Sequence, residues 1–200
     1  MEELEQIAAQ IRACTACILH RGRTLAVPGE GPADAAILFV GEAPGFHEDQ
    51  QGRPFVGAAG QFLAELLASI GLRRDQVYIT NIVKCRPPGN RDPLPDEIAA
   101  CSPYLDRQLA IIRPKLVVTL GRFSMAHFLP RARISDVHGR PQRVGGILCY
   151  PMYHPAAALH QPSLRRTVEE DFRRIPEVLT QAEGVAEYQP PPQPEQLRLF

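Results

Sequence analysis

The chain has no net charge, because 22 acidic residues balance its 22 basic residues over 200 positions. This excludes a globally basic protein that binds nucleic acid through its total charge, so any phosphate contact needs a local basic face. Lysine is scarce, with Lys84 and Lys115 as the only two, and arginine supplies the remaining positive charge. Arginine suits bidentate contacts with phosphate, although a genome rich in GC codons explains the same bias equally well.

Long hydrophobic runs are missing as well. None approaches the roughly 18 apolar residues that span a membrane. The first residues, MEELEQIAAQIRAC, combine acidic side chains with helical spacing and lack the basic start and apolar core of a secretory signal. We therefore expect a cytoplasmic protein with no membrane partner. Because disulfides are rare in that reducing compartment, the five cysteines need another explanation.

Four short, nearly continuous apolar runs predict strands that are buried on both faces. They are AAILFVGE (35–42), VYITNIVK (77–84), KLVVTLG (115–121) and GILCYPMYH (146–154). Segments of helical periodicity separate and follow them, the last from about residue 163 to residue 179. This alternation predicts an α/β fold, a three-layer α/β/α sandwich with a central four-stranded, mainly parallel sheet. We expect one domain over residues 1–183 and a Pro-rich flexible tail over residues 184–200.

Four of the cysteines have a spacing that suits a metal site. Cys14 and Cys17 form a C-x2-C pair, while Cys85 and Cys101 follow far downstream with fifteen residues between them. A C-x2-C turn can aim two thiolates at one metal, and two remote cysteines can complete the set. Zinc sites favour two such pairs, so a single pair favours an iron-sulfur cluster without excluding zinc. The alternative is that cysteines serve as small core residues, which we expect for Cys149 inside a strand.

Polar, Gly-rich and Pro-rich segments follow the predicted strands, where parallel sheets bind ligands. They include GEAPG after the first strand, NIVKCRPPGNR at the second and HPAA after the fourth. Together with the four cysteines, these motifs resemble the family 4 uracil-DNA glycosylases, the iron-sulfur members of the uracil-DNA glycosylase superfamily. The resemblance runs from about residue 14 to residue 174. It implies an enzyme that rotates deoxyuridine out of DNA and hydrolyses its N-glycosidic bond, which starts base excision repair.

The resemblance implies roles for individual pocket residues. Phe55 would stack on the flipped uracil. The Asn81 amide would donate to O4 and accept from N3–H, a polarity that cytosine reverses. His154 would donate to O2 as negative charge collects on the leaving uracil. Gly41 and Ala43, both in GEAPG, are expected to border the uracil.

The resemblance does not identify the group that activates the attacking water. Better-known relatives carry an aspartate in the first motif, where this chain has Ala43. Glu42 is the first candidate for the missing catalytic group, through its carboxylate or its backbone. Glu48 would instead shape the pocket around uracil C5 and help to exclude thymine.

For the cysteines, the resemblance implies a [4Fe-4S] cluster on Cys14, Cys17, Cys85 and Cys101. The cluster would tie the N-terminal helix to the sheet and leave no open coordination position for chemistry. Its expected role is therefore structural.

The partner implied by the resemblance is uracil-containing DNA, bound by a monomeric enzyme. We expect phosphate contacts from Arg86 and Arg91 in the second loop and from Arg165 after the fourth strand, and any one of these arginines is as readily explained as solvated. Leu159, within ALHQPSLRR, would fill the gap left by the flipped base.

The C-terminal residues carry a second resemblance. QLRLF is similar to the QLxLF-type peptides by which bacterial DNA-processing proteins dock on the replication sliding clamp. Gln196 would be the polar anchor, and Leu197, Leu199 and Phe200 would fill an apolar pocket at the end of a Pro-rich spacer. The alternative is a disordered end, or one that folds back onto its own domain.

Two other functions compete with the glycosylase hypothesis. A metal-stabilised protein that binds uracil in DNA without cleaving it would need Phe55 and Asn81 but not His154. A nucleotide-binding redox or phosphotransfer enzyme is disfavoured, because the sequence has neither a G-x-x-x-x-G-K-[ST] loop nor a G-x-G-x-x-G motif after a strand.

Overall fold

A five-stranded sheet forms the centre of the protein in a computed structural model that describes residues 2–182 and residue 189. The strands are β1 (Ile37–Gly41), β2 (Tyr78–Asn81), β3 (Leu116–Leu120), β4 (Gln142–Val144) and β5 (Ile147–Met152). They lie in the order β2-β1-β3-β5-β4, and every neighbouring pair is parallel except β4 and β5. The predicted sandwich with a mainly parallel sheet is confirmed, but among the described residues the sheet has five strands instead of four.

The additional strand, β4, is short and lies at the sheet edge. It turns into β5 through Gly145 and Gly146, whose φ angles of 52° and 88° fit the left-handed backbone of a two-residue hairpin. Its side chains are half-buried or exposed, so β4 lacks the apolar run by which the other strands were predicted. The adjacent glycines between Val144 and Ile147 were the available signal for this hairpin.

Helices connect the strands and cover both faces of the sheet. They are α1 (Glu2–Ala13), α2 (Phe46–Gln51), α3 (Ala58–Ser69), α4 (Pro95–Ile112), α5 (Arg122–Phe128), α6 (Ile134–Val137), α7 (Pro155–His160), α8 (Pro162–Arg173) and α9 (Ile175–Thr180). The single helix expected over about 163–179 is divided into α8 and α9 at Arg174. The division follows from Pro176, which has no N–H to continue the hydrogen bonds of α8.

Alternate residues of the central strands face opposite layers. In β1, Ile37 and Phe39 pack in the apolar cluster that contains residues of α3, α8 and α9. Leu38 and Val40 pack in a second cluster, which contains residues of α1 and α4. Because the strands are buried on both sides, their polar functional groups are concentrated where the strands end.

Within residues 2–182, none of the helices combines the length and the apolar character needed to cross a membrane. The predicted clamp-binding residues Gln196, Leu197, Leu199 and Phe200 lie outside the described residues. The predicted boundary between domain and tail therefore stays a prediction.

Candidate active site

The candidate site lies at the carboxyl ends of the parallel strands. Strand β1 lies between β2 and β3, so the chain proceeds to one side of β1 and then crosses to the other. Open α/β sheets bind ligands in the crevice at such a switch point. Glu42 follows β1, Asn81 ends β2 and His154 follows β5, which places three predicted site residues along this edge of the sheet.

Gly41 lies where Asn81 and Phe55 approach each other. It is the register partner of Asn81 across the β1–β2 pair. A Cβ atom on Gly41 would lie 2.3 Å from Asn81 Oδ1 and 2.6 Å from Phe55 Cζ. Any larger residue would displace these two buried side chains, so glycine at position 41 lets the amide and the aromatic ring approach each other. The structure thus brings together three residues predicted to bind uracil, and their binding role stays a prediction.

His154 is held as a neutral donor beside Phe55. The two rings lie 5.6 Å apart between centroids, with 22° between their planes. The backbone N–H of Ala156 donates to Nδ1 of His154 at 3.1 Å, so the proton of the neutral ring belongs on Nε2. Burial lowers the pKa of His154 to about 4, although the charge of Glu48 acts in the opposite direction. At neutral pH, His154 therefore has an N–H that no hydrogen bond among the described residues uses.

The Asn81 carboxamide has unused hydrogen-bonding capacity. The residue is 2% exposed, yet no hydrogen bond between described residues involves its side chain. Its backbone, by contrast, is fixed: Nζ of the fully buried Lys84 donates to the Asn81 carbonyl at 2.8 Å. The same ammonium donates to Thr80 Oγ1 at 2.5 Å and to Gln108 Oε1 at 2.7 Å. A buried amide with a fixed backbone and free polar atoms is suited to reading a ligand's polar edge.

Glu42 is a half-buried carboxyl group without a hydrogen-bond partner among the described residues. Burial, followed by the negative charge of Asp92, raises the pKa of Glu42 to about 7 against the opposing effect of Arg122. Its backbone carbonyl accepts the N–H of Val83 at 3.0 Å, which fixes the start of the loop. Ala43 packs against the apolar cluster on the α1 and α4 side and provides no polar group.

Glu48 connects two loops of the pocket. Its Oε1 accepts the N–H groups of Val56 and Gly57, each at 2.8 Å, and its Oε2 accepts the N–H of Gly45 at 3.1 Å. These charge-assisted bonds fix the segment after Phe55 to the loop after β1. The proposed contact with uracil C5 stays a prediction, while the role of Glu48 in holding the loops is visible in its bonds.

The four predicted cysteine ligands line one cavity, here named the cysteine bay. Cys14 and Cys17 follow α1, Cys85 follows β2 and Cys101 lies in α4. Arg23 and Tyr104 also line the bay. Within residues 2–182, no group of cysteine, histidine or carboxylate side chains is spaced to hold a single metal ion. A cluster binds each cysteine to a different iron and so separates the sulfurs more widely. Four thiols around one cavity, which His20 also lines, fit it.

Hydrogen bonds already surround the bay sulfurs. Arg23 donates to Cys85 Sγ at 3.0 Å, the backbone N–H of Lys84 donates to Cys101 Sγ at 3.2 Å and that of Ala16 to Cys14 Sγ at 3.5 Å. Such donors stabilise thiolates and tune cluster potentials. Burial raises the pKa of the Cys101 thiol to about 12, against the opposing effect of Lys84. Metal binding at this position must therefore displace a tightly held proton.

The predicted DNA-contacting arginines differ in their surroundings. Arg91 forms a bidentate pair with the fully buried carboxylate of Glu97, at 2.9 and 2.6 Å. Arg165 pairs with Glu169 at 3.0 Å and lies 4.5 Å from the centre of the Phe62 ring. Phosphate binding by either residue stays a prediction, and the pair with Glu97 gives Arg91 a clear role in holding its loop to α4.

Arg86 is half-buried, whereas Leu159 is exposed. Arg86 lies 5.1 Å from the centre of the Phe46 ring and donates to Asn90 Oδ1 at 2.7 Å. Phe46 is 51% exposed, and Leu159, in α7, is 41% exposed. Both residues follow strands of the parallel sheet in the chain, and their contact with DNA stays a prediction.

Comparisons with known proteins agree with this geometry. The family model of the uracil DNA glycosylase superfamily matches residues 28–178. The chain is 53% identical over 188 residues to a type-4 uracil-DNA glycosylase of Sulfurisphaera tokodaii, covering 89% of this chain and 86% of that protein. The chain belongs to the type-4 uracil-DNA glycosylases. The predicted family membership, and with it the prediction of a DNA glycosylase, is confirmed.

Other relatives place the chain within the superfamily. A type-4 uracil-DNA glycosylase of Saccharolobus solfataricus is 50% identical over 190 residues, which cover 90% of this chain and 88% of the relative. A type-5 uracil-DNA glycosylase of Pyrobaculum aerophilum is 35% identical over 161 residues, which cover 72% and 70% of the two chains. The likeness to type-4 proteins is therefore greater and extends over more of the chain.

Phe46 and Lys84 were not predicted from the sequence as residues of the candidate site. Phe46 directly follows GEAPG, and an aromatic residue after a Gly-rich strand exit was the available signal. Lys84, one of only two lysines, lies between Asn81 and Cys85 in the second motif. No local pattern distinguishes its buried position, because its partners Thr80 and Gln108 come from different elements.

Proposed function

We propose that this protein removes uracil from DNA by binding an extrahelical deoxyuridine in the pocket and hydrolysing the bond between N1 of uracil and C1′ of the sugar. The reaction leaves an abasic site, the first intermediate of base excision repair. The observation that carries this proposal is a neutral His154 with a free Nε2–H stacked beside Phe55, whose ring meets the unpartnered Asn81 amide at Gly41. The nucleotide must leave the stack, because its glycosidic bond is inaccessible within a duplex.

Uracil is selected by the Asn81 carboxamide. Its NH2 group donates to O4 of uracil, and its carbonyl oxygen accepts from N3–H. Cytosine presents an amino group and an unprotonated N3 at these positions, so both contacts become repulsive. Because the Asn81 backbone is fixed by Lys84, the amide cannot move away to relieve this mismatch. Buried polar groups left unpaired give strong discrimination.

His154 stabilises the leaving group. As the N1–C1′ bond breaks, its electron pair moves into the uracil ring and negative charge develops on O2. The Nε2–H of the neutral imidazole donates to that oxygen, and this hydrogen bond strengthens in the transition state. Since the pKa of His154 is about 4, the ring remains a neutral donor over the range in which DNA is stable.

Glu42 assists the water. A carboxylate near the sugar accepts a proton from the water that attacks C1′ and favours the positive charge that develops there. With a pKa of about 7, Glu42 is partly ionised at neutral pH and well matched to this role. The products are free uracil, which takes up one proton, and a sugar that carries the new hydroxyl group.

The four bay cysteines hold a [4Fe-4S] cluster in this proposal. When bound, the cluster cross-links α1, the β2 exit and α4, and it supplies no step of the hydrolysis. The test is the metal content and visible spectrum of anaerobically purified protein. Four iron atoms per protein and absorbance at about 400 nm would support the cluster, whereas zinc in a colourless protein would contradict it.

The enzyme is proposed to be monomeric and cytoplasmic. Its C-terminal QLRLF peptide is proposed to bind the bacterial sliding clamp. Three apolar residues beside a glutamine, carried on a Pro-rich spacer, support this assignment. Deletion of residues 195–200 should abolish clamp binding and leave cleavage of short oligonucleotides unchanged. Loss of cleavage in this variant would instead indicate that the peptide belongs to the catalytic domain.

The glycosylase activity is tested with oligonucleotides that contain one uracil, cytosine or thymine at the same position. Incubation followed by alkali should break only the uracil strand, because alkali cleaves at abasic sites. An intact uracil strand would contradict the proposed function. Tight binding of that intact strand would favour a protein that recognises uracil without cleaving it.

A further inference from the structure

Phe55 has a backbone conformation that requires support. Its φ angle is 52°, in the left-handed region that bulky residues rarely adopt. The N-terminal turn of α3 lies against its carbonyl group, since a Cβ atom on Gly60 would be 1.9 Å from Phe55 O. Strained residues of this kind persist only where the surrounding structure fixes them, and they cluster at functional sites.

Arg74 supplies that support. Its Nη1 donates to the Phe55 carbonyl at 2.7 Å, and its Nη2 donates to the carbonyl of Pro54. One planar guanidinium thus holds two consecutive carbonyl groups at the strained position. Lysine has a single charged nitrogen and cannot reproduce this forked contact.

Glu30 connects Arg74 to the strand that carries the uracil-reading amide. Arg74 Nε donates to Glu30 Oε1 at 2.6 Å. The backbone of Glu30 pairs with Ile79 of β2, with N···O distances of 3.0 and 2.8 Å in the two directions. Burial raises the pKa of Glu30, but hydrogen bonds from Arg53 and Arg74 outweigh this effect, so the pKa is lowered overall. Ile79 lies two residues before Asn81, so the chain of contacts runs from Phe55 to the strand of Asn81.

We infer that Arg74 is a positioning residue for uracil recognition, which acts by fixing the Phe55 ring relative to the Asn81 amide. This inference rests on the proposed function, because it assigns Phe55 to stacking on uracil. The Phe55 ring must keep a fixed position relative to the Asn81 amide if one base is to contact both. A small displacement of a positioned group lowers a rate strongly, since the bound geometry no longer leads directly to the transition state.

Arg53 provides a matched control. It donates to the same carboxylate, with Nε 2.8 Å from Glu30 Oε2, but among the described residues its side chain does not bond the carbonyl groups of Pro54 and Phe55. Its side chain is 58% exposed. Arg53→Ala removes one ion pair with Glu30, whereas Arg74→Ala also releases the two carbonyl groups. A difference between the variants therefore reports the contact with the platform and not the loss of an arginine.

The kinetic test compares single-turnover cleavage of a uracil oligonucleotide by wild type, Arg53→Ala, Arg74→Ala and Arg74→Lys. Arg74→Ala should be slower by about tenfold, Arg74→Lys should recover little, and Arg53→Ala should stay within about twofold of wild type. In a Phe55→Ala background, Arg74→Ala should cause no further loss, because its effect passes through that ring. Equal rates for the Arg53 and Arg74 variants, or an undiminished effect in the Phe55→Ala background, would overturn the inference.

A second readout does not depend on activity. Backbone amide hydrogen exchange at residues 55–57 should be faster by about tenfold in Arg74→Ala than in Arg53→Ala, both loaded with their metal. Unchanged exchange would overturn the inference even if the rates differ. A wild-type protein that leaves uracil DNA intact would contradict the proposed function alone, and the exchange data would still decide whether Arg74 fixes the loop.

Discussion

The candidate pocket and the cysteine bay lie at the two ends of one short segment, Asn81–Cys85, and differ in how their polar groups are bonded. In the pocket, the Asn81 amide and the Glu42 carboxylate have no hydrogen-bond partner among the described residues, and Nε2 of His154 is free. In the bay, the sulfurs of Cys85 and Cys101 accept hydrogen bonds from the protein. Unused capacity suits the pocket to the proposed uracil, whereas the bay sulfurs already have protein donors around the proposed cluster.

This contrast implies that substitutions in the two regions have different consequences. A pocket variant should lose rate while the fold is retained, because its side chain contributes little to internal bonding. A bay variant should lose stability first, because the bay joins α1, α4 and the β2 exit. Lys84 belongs to both regions, since its Nζ bonds Asn81 and its N–H bonds Cys101.

The largest effect is expected from His154→Ala. The variant removes the donor to the leaving uracil, so single-turnover cleavage should fall by roughly hundredfold to thousandfold. The thermal midpoint and the visible spectrum should match those of wild type, because the only described bond of the ring is local. A rate within threefold of wild type would remove His154 from the mechanism and would favour the view that uracil is bound without hydrolysis.

Substitution of Asn81 should change specificity as well as rate. Asn81→Ala should slow uracil cleavage by about hundredfold, because two contacts with the base are lost. Asn81→Asp replaces a donor with an acceptor and should raise the low rate on cytosine relative to uracil. The measurement is cleavage of matched uracil and cytosine oligonucleotides, and an unchanged ratio in Asn81→Asp would contradict base reading by this residue.

Glu42 should set the pH dependence of the reaction. Its carboxyl group must be ionised to accept a proton, and burial raises its pKa to about 7. The rate should therefore fall as the pH drops below about 7 and reach a plateau above it. Glu42→Gln should be slower by about tenfold at pH 8 and nearly independent of pH between 5 and 8. His154 adds no inflection there because its pKa is about 4. Retention of the same inflection in Glu42→Gln would assign it to another group.

The smallest effect on rate is expected from the bay. Cys14→Ser should reduce the absorbance at about 400 nm and lower the thermal midpoint by about 10 °C. The cleavage rate at about 25 °C should stay within about threefold of wild type. Cys149→Ala is the matched control, since Cys149 is buried in β5 away from the bay and should not affect the spectrum. A large loss of rate in a folded Cys14→Ser protein would show that the bay does more than maintain the fold.

Much of the fold could be predicted from the sequence, because its strands and helices produce patterns among neighbouring residues. Four buried strands appear as apolar runs, and the motifs follow those strands directly. β4 was missed because a half-exposed edge strand has no such run. Arg91 shows a further limit. A sequence identifies its charge, but its bidentate partner Glu97 lies in the first turn of α4, and only the folded loop brings the two together.

The sequence by itself determined the alternation of strands and helices, the cysteine set and the residue types available at each strand exit, because periodicity and spacing are properties of neighbouring residues. The tertiary structure decided the proton position on His154, the raised pKa of Glu42 and the support of Phe55 by Arg74. These depend on burial and on partners from other loops, and the free energies involved arise only when distant segments are packed within a few ångströms of one another.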